Sequence, residues 1–204
     1  GTYPNLRLRR NRKNDWTRRL VQEDTLSTND LIWPIFICEG KNIKNPIKTM
    51  PGVYRYSLDR IEKLVEKALK NGIPMIALFP TIPNHKKNQN GSEALNKNNL
   101  ICKALRLIKK KNKNIGIMCD VALDPYTSHG HDGIIKKNYV QNDETIKVLI
   151  KQSLVQAEMG CDVLAPSDMM DGRIGEIRKA LDKNRYNDVQ LLSYAVKYAS
   201  NFYG

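Results

Sequence analysis

Lys197 has the clearest chemical potential in this sequence, because it interrupts an apolar segment that is typical of a buried strand. In a strand it would share one face with Ser193, Ala195 and Ala199, which are small and leave room for a ligand. Burial lowers the pKa of a lysine and favours the neutral amine that forms a Schiff base with a ketone. A buried ion pair with Asp120 or Asp168 explains the pattern equally well, so both interpretations stay open.

Further polar side chains follow two other apolar segments. Asp120 could orient the lysine or a substrate amine, although a loop cap explains it equally well. Ser167 and Asp168 precede a predicted helix, and capping of that helix is their default explanation. Tyr203 either faces the same region or covers its rim.

The loop after Asp120 contains a possible metal site. Asp124, His129, His131 and Asp132 offer oxygen and nitrogen ligands. Their spacing matches no tight zinc template, and two histidines around Gly130 are typical of hydrogen-bonding loop residues. The metal signal from spacing alone is therefore weak.

The elements that must position these residues alternate in type. Continuous apolar runs predict strands, and apolar stripes of helical period predict the helices between them. Ser57 is the predicted cap of the first of these helices, and Pro34 makes the first strand the least certain one. Residues 124–141 are predicted to form a long functional loop with a possible hairpin. The predicted strands cover 31–38, 74–80, 115–123, 162–168 and 190–198, and the helices centre on 61–69, 101–108, 146–157 and 174–181.

This β-α-β order predicts an α/β fold with a parallel sheet covered by helices. An open doubly wound sheet and a TIM barrel both satisfy it. No G-x-G-x-x-G follows the first strand, which disfavours a dinucleotide-binding unit. A TIM (β/α)8 barrel would be incomplete here, with about five βα units. Residues 1–26 lack apolar periodicity and are predicted to form an extended N-terminal arm, leaving 27–204 for the partial barrel.

Composition excludes several classes of protein. The 204 residues carry a net charge of +13 and are 41% hydrophobic, which suits one packed domain rather than a disordered chain. Lysine and arginine are spread evenly, so we expect no nucleic-acid partner. No apolar run is long enough to span a membrane, and no signal-peptide pattern is present. The four cysteines form no C-x-x-C pair and are interpreted as reduced thiols of a cytoplasmic protein. Because the chain starts at Gly1 and stops just after an apolar run, we expect it to be part of a longer protein.

Several long strings resemble the delta-aminolevulinic acid dehydratase family, whose members are also called porphobilinogen synthases. The resemblance is colinear over essentially the whole chain and rests on long, specific motifs. Its main strings are residues 120–133 (DVALDPYTSHGHDG), 165–173 (APSDMMDGR) and 194–204 (YAVKYASNFYG), with shorter matches at 7–10, 50–55, 77–80 and 91–94.

The resemblance implies a TIM barrel with an N-terminal arm, assembled as a homo-octamer. It implies a lyase that condenses two molecules of 5-aminolevulinate into porphobilinogen in tetrapyrrole (heme) biosynthesis. Lys197 matches the lysine that forms a Schiff base with one substrate, and Asp120 and Ser167 match residues that contact it. Tyr203 matches a tyrosine that lines the neighbouring substrate pocket.

The resemblance also bears on the metal. Zinc-dependent members carry three cysteines where this chain has Ala122, Asp124 and Asp132, so catalytic zinc is not expected. Asp124 and Asp132 suit a hard cation such as Mg²⁺. The same resemblance leaves open whether these aspartates bind the metal or position the substrate. An additional allosteric Mg²⁺ site of such members would use residues beyond 204.

Two other functions remain as alternatives. The family's second Schiff-base lysine, in a Val-Lys-Pro context, has no match here, so this chain alone is expected to be inactive. The first alternative is a non-catalytic truncated barrel that serves as an assembly or binding module. The second is another Schiff-base barrel, such as a class I aldolase.

Overall fold

A computed structural model describes residues 1–194 of the protein. The second half of the predicted fifth strand, with Lys197 and Tyr203, lies outside the described residues. Within residues 1–194, none of the helices is both long and apolar enough to cross a membrane.

The strands form one mixed sheet, parallel except at one edge, and a separate hairpin. In space the sheet order is β2-β3-β1-β4-β5-β8-β9, and in the described part of the chain only the pairing of β2 with β3 is antiparallel within this sheet. The strands are β1 (Ile32–Cys38), β2 (Lys44–Pro46), β3 (Tyr54–Ser57), β4 (Met75–Thr81), β5 (Gly116–Val121), β6 (Ile135–Lys136), β7 (Tyr139–Val140), β8 (Val163–Pro166) and β9 (Gln190–Leu191).

The helices alternate with the strands along the chain. α4 begins at a side-chain cap, because the Asn99 side chain accepts a hydrogen bond from the backbone N–H of Cys102. α3 ends just before Gly72, which adopts the left-handed conformation that such an ending requires. The helices are α1 (Arg10–Lys13), α2 (Asp15–Leu20), α3 (Ile61–Lys70), α4 (Leu100–Lys111), α5 (Asn142–Glu158) and α6 (Arg173–Lys183).

The order of the strands decides between the two architectures. From β1 through β4, β5, β8 and β9, each parallel strand is added beside the one before it, without the reversal of a doubly wound sheet. The main core lies on the face where the helices pack. A smaller cluster of Ala77, Met118, Val163 and Ala165 lies apart from it. The described residues thus form part of a TIM barrel, with helices outside and a lightly filled interior.

Two strands were not predicted from the sequence. β2 and β3 are short and polar, and they have neither an apolar run nor a clear alternation. The predicted first strand is confirmed despite Pro34. β3 pairs with β1 only over Phe36–Cys38, so Pro34 lies where β1 has just one neighbour, β4. The predicted hairpin is also confirmed, with Lys137 and Asn138 at positive φ between β6 and β7.

Both predicted helix caps are wrong. The Ser57 hydroxyl accepts a hydrogen bond from the backbone N–H of Ile43 at 2.8 Å and does not cap α3. α6 is preceded by Gly172 in the left-handed conformation, with no side-chain cap. Asp168 instead closes a local turn, since its Oδ1 accepts from the N–H of Met170 at 2.8 Å. In both cases the side chain bonds to a backbone N–H outside the helix.

The N-terminal segment is less extended than predicted. It contains the short helices α1 and α2, and none of their residues is buried. Large apolar side chains stand exposed along the segment, namely Tyr3, Leu6, Leu8, Trp16, Leu20, Val21 and Leu26. A segment with this much exposed apolar surface has little packing of its own against the barrel.

Candidate active site

A cavity of about 610 Å³ lies at the carboxyl ends of the parallel strands. This is the edge of the sheet at which parallel α/β proteins bind their ligands. Four of the predicted site residues line it together, namely Asp120, Asp124, Asp132 and Ser167. The other lining residues are Pro34, Phe36, Met50, Phe79, Gly130, His131, Met169 and Tyr194. A more open groove of about 790 Å³ lies beside the hairpin, away from most of these residues.

The two remaining predicted residues, Lys197 and Tyr203, lie outside the described residues. Tyr194, three positions before Lys197, lines the cavity. It follows β9, which runs parallel to β8. The sequence had identified this segment through its small residues and the lysine, not through Tyr194.

β5 and the turn after it bring two of the aspartates to the cavity. β5 pairs with β8 through Asp120, opposite Ala165, and Ser167 follows directly after β8. Beyond β5, the carbonyl of Leu123 accepts hydrogen bonds from the N–H groups of Tyr126 and Thr127, at 2.8 and 2.9 Å. This closed turn gives Asp124 a fixed position close to the buried end of the strand.

The loop that carries Asp132 is fixed by its histidines. The Nδ1 of His129 accepts from the N–H of His131 at 3.1 Å, and its Nε2 lies 3.2 Å from the carbonyl of Gln89. His129 therefore carries its proton on Nε2 and links this loop to residues 84–92. The Thr127 hydroxyl donates to the carbonyl of His131 at 2.8 Å. The interpretation of the histidines as hydrogen-bonding loop residues is confirmed, and His129 does not line the cavity.

Asp132 lies close to His131. Its side chain is only 13% exposed, and its Oδ1 lies 3.0 Å from the Nδ1 of His131. That Nδ1 accepts a hydrogen bond from the N–H of Gly133 at 3.0 Å, so its contact with the Asp132 carboxylate is not itself a hydrogen bond. Residues 131–133 therefore form a compact turn that presents one carboxylate to the cavity.

Asp168 is a buried acid next to the cavity, for which the sequence had suggested a helix cap or an ion pair with Lys197. Burial raises its pKa to about 6, and the nearby charge of Asp132 adds to this rise. The hydrogen bond from Met170 and the charge of Arg173 act in the opposite direction. Arg173 Nε lies 3.2 Å from Oδ2, so an Arg–Asp pair fixes the segment between Ser167 and α6.

Part of the cavity lining is apolar. Phe36 on β1 and Phe79 on β4 stack with ring centroids 5.5 Å apart, next to Pro34 and Met50. The sequence reasoning missed these rings, although both lie near the carboxyl ends of predicted strands, which was the available signal. A cavity of this volume, lined by both aromatic rings and a few carboxylates, is typical of a site for a small molecule.

The ligand chemistry of the cavity is that of hard oxygen donors. Within residues 1–194, no three His, Cys, Asp or Glu side chains are grouped closely enough to hold a metal ion by themselves. Burial raises the pKa of the Cys102 thiol to about 11 and that of Cys119 well above its usual value, so both remain protonated. None of the four cysteines lines the cavity. Mg²⁺ is commonly held by one or two carboxylates and several waters, and Asp124 and Asp132 fit that requirement.

Comparisons with known proteins agree on one family. A family model described as delta-aminolevulinic acid dehydratase matches residues 5–204. The delta-aminolevulinic acid dehydratase of Bradyrhizobium diazoefficiens is 55% identical over 98% of this chain and 56% of its own length. That of Ruminiclostridium josui is 47% identical over 97% of this chain and 96% of its own length.

A solved structure matches the fold as closely. The enzyme from Toxoplasma gondii, in complex with the reaction product porphobilinogen, superposes with a TM-score of 0.92 at 40% identity. The match covers 98% of this chain and 57% of the Toxoplasma chain. The chain thus spans little more than half the length of several relatives that it matches. The motifs in the sequence, the partial barrel and these matches lead to one conclusion: the chain belongs to the delta-aminolevulinic acid dehydratase family.

Proposed function

We propose that the natural protein carrying this chain is a porphobilinogen synthase that condenses two molecules of 5-aminolevulinate, with loss of two waters. The observation that carries the proposal is the convergence of Asp120, Asp124, Asp132 and Ser167 on one cavity at the strand ends. Membership of the family supplies the substrate and the product. The cavity volume lies in the range of small-molecule sites.

Lys197 is the proposed nucleophile. Its neutral amine adds to the ketone carbon of 5-aminolevulinate, and the carbonyl oxygen leaves as water when the carbon–nitrogen double bond of the imine forms. The support is the motif around Lys197 and the presence of Tyr194, three residues earlier, in the cavity wall. Asp120 and Ser167 are proposed to contact this substrate, and Tyr203 to line the pocket of the second one.

Asp124 and Asp132 are proposed to hold Mg²⁺. When bound, the ion would supply positive charge next to substrate oxygen or nitrogen atoms. The support is the pair of carboxylates in one cavity that no cysteine of the described residues lines. The two carboxylates would hold the ion by opposite charge, and the turn that His131 and Gly133 close fixes the backbone that carries Asp132.

We further propose that the protein forms a homo-oligomer, of the octameric kind, in the cytoplasm. The support is the N-terminal segment, whose exposed apolar side chains would be covered by a neighbouring subunit. The side chains of Leu8, Leu20 and Leu26 are at least 70% exposed, which is unusual for leucines in a fully assembled protein.

A turnover assay tests the proposed reaction. The natural protein should convert 5-aminolevulinate to porphobilinogen, whereas Lys197→Ala should abolish turnover because the imine cannot form. Lys179→Ala serves as the control, since Lys179 is an exposed lysine on α6 that pairs only with Glu176 among residues 1–194. Unchanged turnover in Lys197→Ala would refute the assignment of the nucleophile. A natural protein that binds 5-aminolevulinate without turnover would favour the non-catalytic alternative.

A further inference from the structure

Helix α5 carries a row of buried polar side chains that the reaction above does not use. Thr145, Gln152 and Gln156 are each at most 2% exposed. Their spacing of seven and four residues places them on one face of the helix. Buried polar groups lower stability unless they are hydrogen-bonded, so their partners indicate what the row does.

The two glutamines bond to the backbone at the end of β5. Gln156 donates from Nε2 to the carbonyl of Asp120 at 3.0 Å, and Gln152 donates from Nε2 to the carbonyl of Ala122 at 3.2 Å. The pairing of β4 with β5 ends at Cys119, so both carbonyls follow the part of β5 that β4 holds. Where β4 stops, the glutamines therefore add to the pairing with β8, which continues at Asp120 and Val121.

Thr145 fixes the other end of the same segment. Its hydroxyl accepts from the N–H of Ile134 at 2.8 Å and donates to the carbonyl of Gln141 at 2.7 Å. One helix thus holds the chain on both sides of residues 120–134. Of the four predicted carboxylate and hydroxyl groups that line the cavity, this segment carries three.

The glutamines are a poor choice for stability alone. The amide oxygens of Gln152 and Gln156 are buried and make no hydrogen bond within residues 1–194. A buried polar atom without a partner lowers the free energy of unfolding, which offsets what the donated bond contributes. What the two glutamines contribute is a defined orientation of the backbone, because each amide can accommodate the carbonyl that it bonds in only one orientation.

We propose that Gln152 and Gln156 are positioning residues for the cavity. They set the orientation of the peptide groups at Asp120 and Ala122, and thereby the placement of the Asp120 and Asp124 side chains. Neither glutamine lines the cavity, so both act through the aspartates and not on the substrate. This inference rests on the proposed function, because it concerns the same reaction.

The test replaces Gln156 in the natural protein. Gln156→Met keeps the length of the side chain and removes the donor, so we expect kcat/KM for 5-aminolevulinate to fall about 10- to 100-fold. The midpoint of thermal unfolding should stay within about 3 °C, since the unpaired amide oxygen that the variant removes offsets the hydrogen bond that the Asp120 carbonyl loses. Ser153→Ala is the matched control, because Ser153 is a neighbouring residue, 1% exposed, whose hydroxyl has no partner within residues 1–194. It should leave both quantities unchanged.

A double-mutant cycle separates positioning from packing. If Gln156 acts through Asp120, Gln156→Met should change kcat/KM less than about twofold in an Asp120→Asn background. Where turnover is too slow to measure, the rate at which borohydride traps the covalent adduct is compared in place of kcat/KM. Equal losses in both backgrounds, or no loss in either, would overturn the inference. If Gln156→Met does not fold, Gln156→Glu, which keeps the length and one oxygen, is measured against the same outcomes.

The controls distinguish this inference from the function on which it rests. A natural protein that makes no porphobilinogen would refute the proposed function, and the positioning roles would fall with it. A natural protein that is active, with an equally active Gln156→Met variant, would refute only the positioning roles.

Discussion

Asp168 is a buried acid whose protonation changes within the pH range that is commonly used to study proteins. Its pKa in the folded protein is about 6, above the usual 3.8. Between these values the folded protein holds a proton that the unfolded chain has lost, so the stabilising contribution is present at low pH and is lost as pH rises through 6. We expect the difference in unfolding free energy between wild type and Asp168→Asn to fall by about 2–3 kcal/mol from pH 4 to pH 7.

Urea unfolding at pH 4, 5, 6 and 7 measures this difference, because the asparagine of the variant cannot titrate. A difference that stays constant with pH would mean that Asp168 has an ordinary pKa. Its burial and its proximity to Asp132 would then have less effect than the structure indicates.

Asp124 and Asp132 give a prediction about the metal. Activity should fall when EDTA removes divalent ions and should return with Mg²⁺, because carboxylate oxygens prefer a hard cation. A chelator selective for zinc should leave activity unchanged. Asp124→Asn should raise the Mg²⁺ concentration needed for half of full activity. Loss of activity on removal of zinc alone would contradict the proposed metal.

At the scale of the element, Gly133 lies where the loop that carries Asp132 packs closely against the hairpin. A Cβ there would lie 2.6 Å from Val140 Cγ1, 3.1 Å from Met170 Cε and 3.2 Å from Thr145 Oγ1. Gly133→Ala should therefore push the loop away from α5 and lower the free energy of unfolding by about 1–3 kcal/mol. Because Asp132 is the preceding residue, KM for 5-aminolevulinate should also rise.

Gly175→Ala is the matched control for this substitution. Gly175 lies in α6 with nothing within 4 Å of the position of its added Cβ. Alanine favours a helix, so this variant should gain about 0.5–1 kcal/mol with unchanged KM. Unfolding in urea and a substrate titration check both variants. Equal stability of Gly133→Ala and wild type would contradict the tight packing of the loop.

The sequence was sufficient to predict most elements, because buried parallel strands and amphipathic helices leave strong periodic patterns. The strands at 32–38, 75–81, 116–121 and 163–166 all lie within one residue or two of their predicted positions. β2 and β3 could not be predicted, since they are held by pairing with β1 and with each other, which leaves no local pattern. The prediction that Ser57 caps α3 failed for a related reason, because its hydroxyl bonds to the backbone N–H of Ile43, which is distant in the sequence.

The site was predictable to the extent that a general rule covers it. Parallel strands bring their carboxyl ends together, and this rule suffices to gather Asp120, Asp124, Asp132 and Ser167. The Asp168–Arg173 pair and the bonds from Gln152 and Gln156 depend on side-chain directions across elements, for which the sequence carries no signal. Periodicity alone left a barrel and a doubly wound sheet open; the family resemblance implied the barrel, and the spatial order of the strands confirms it.

At the scale of the whole molecule, the N-terminal segment gives a prediction about assembly. Trp16 is 60% exposed and Leu26 is 81% exposed, and a neighbouring subunit would bury such side chains. Deletion of residues 1–26 from the natural protein should reduce the number of subunits per particle, obtained by dividing the molar mass from light scattering after size-exclusion chromatography by the mass of the shortened subunit. The same number of subunits with and without the segment would contradict its role in assembly.

The most direct test of the account is chemical trapping of the proposed imine. Borohydride added with 5-aminolevulinate should reduce the imine to a stable secondary amine, and peptide mass mapping should find the adduct on Lys197. Lys197→Ala should remove the adduct from that peptide, whereas Lys179→Ala should not. An unmodified Lys197 in a protein that turns over 5-aminolevulinate would contradict the central claim.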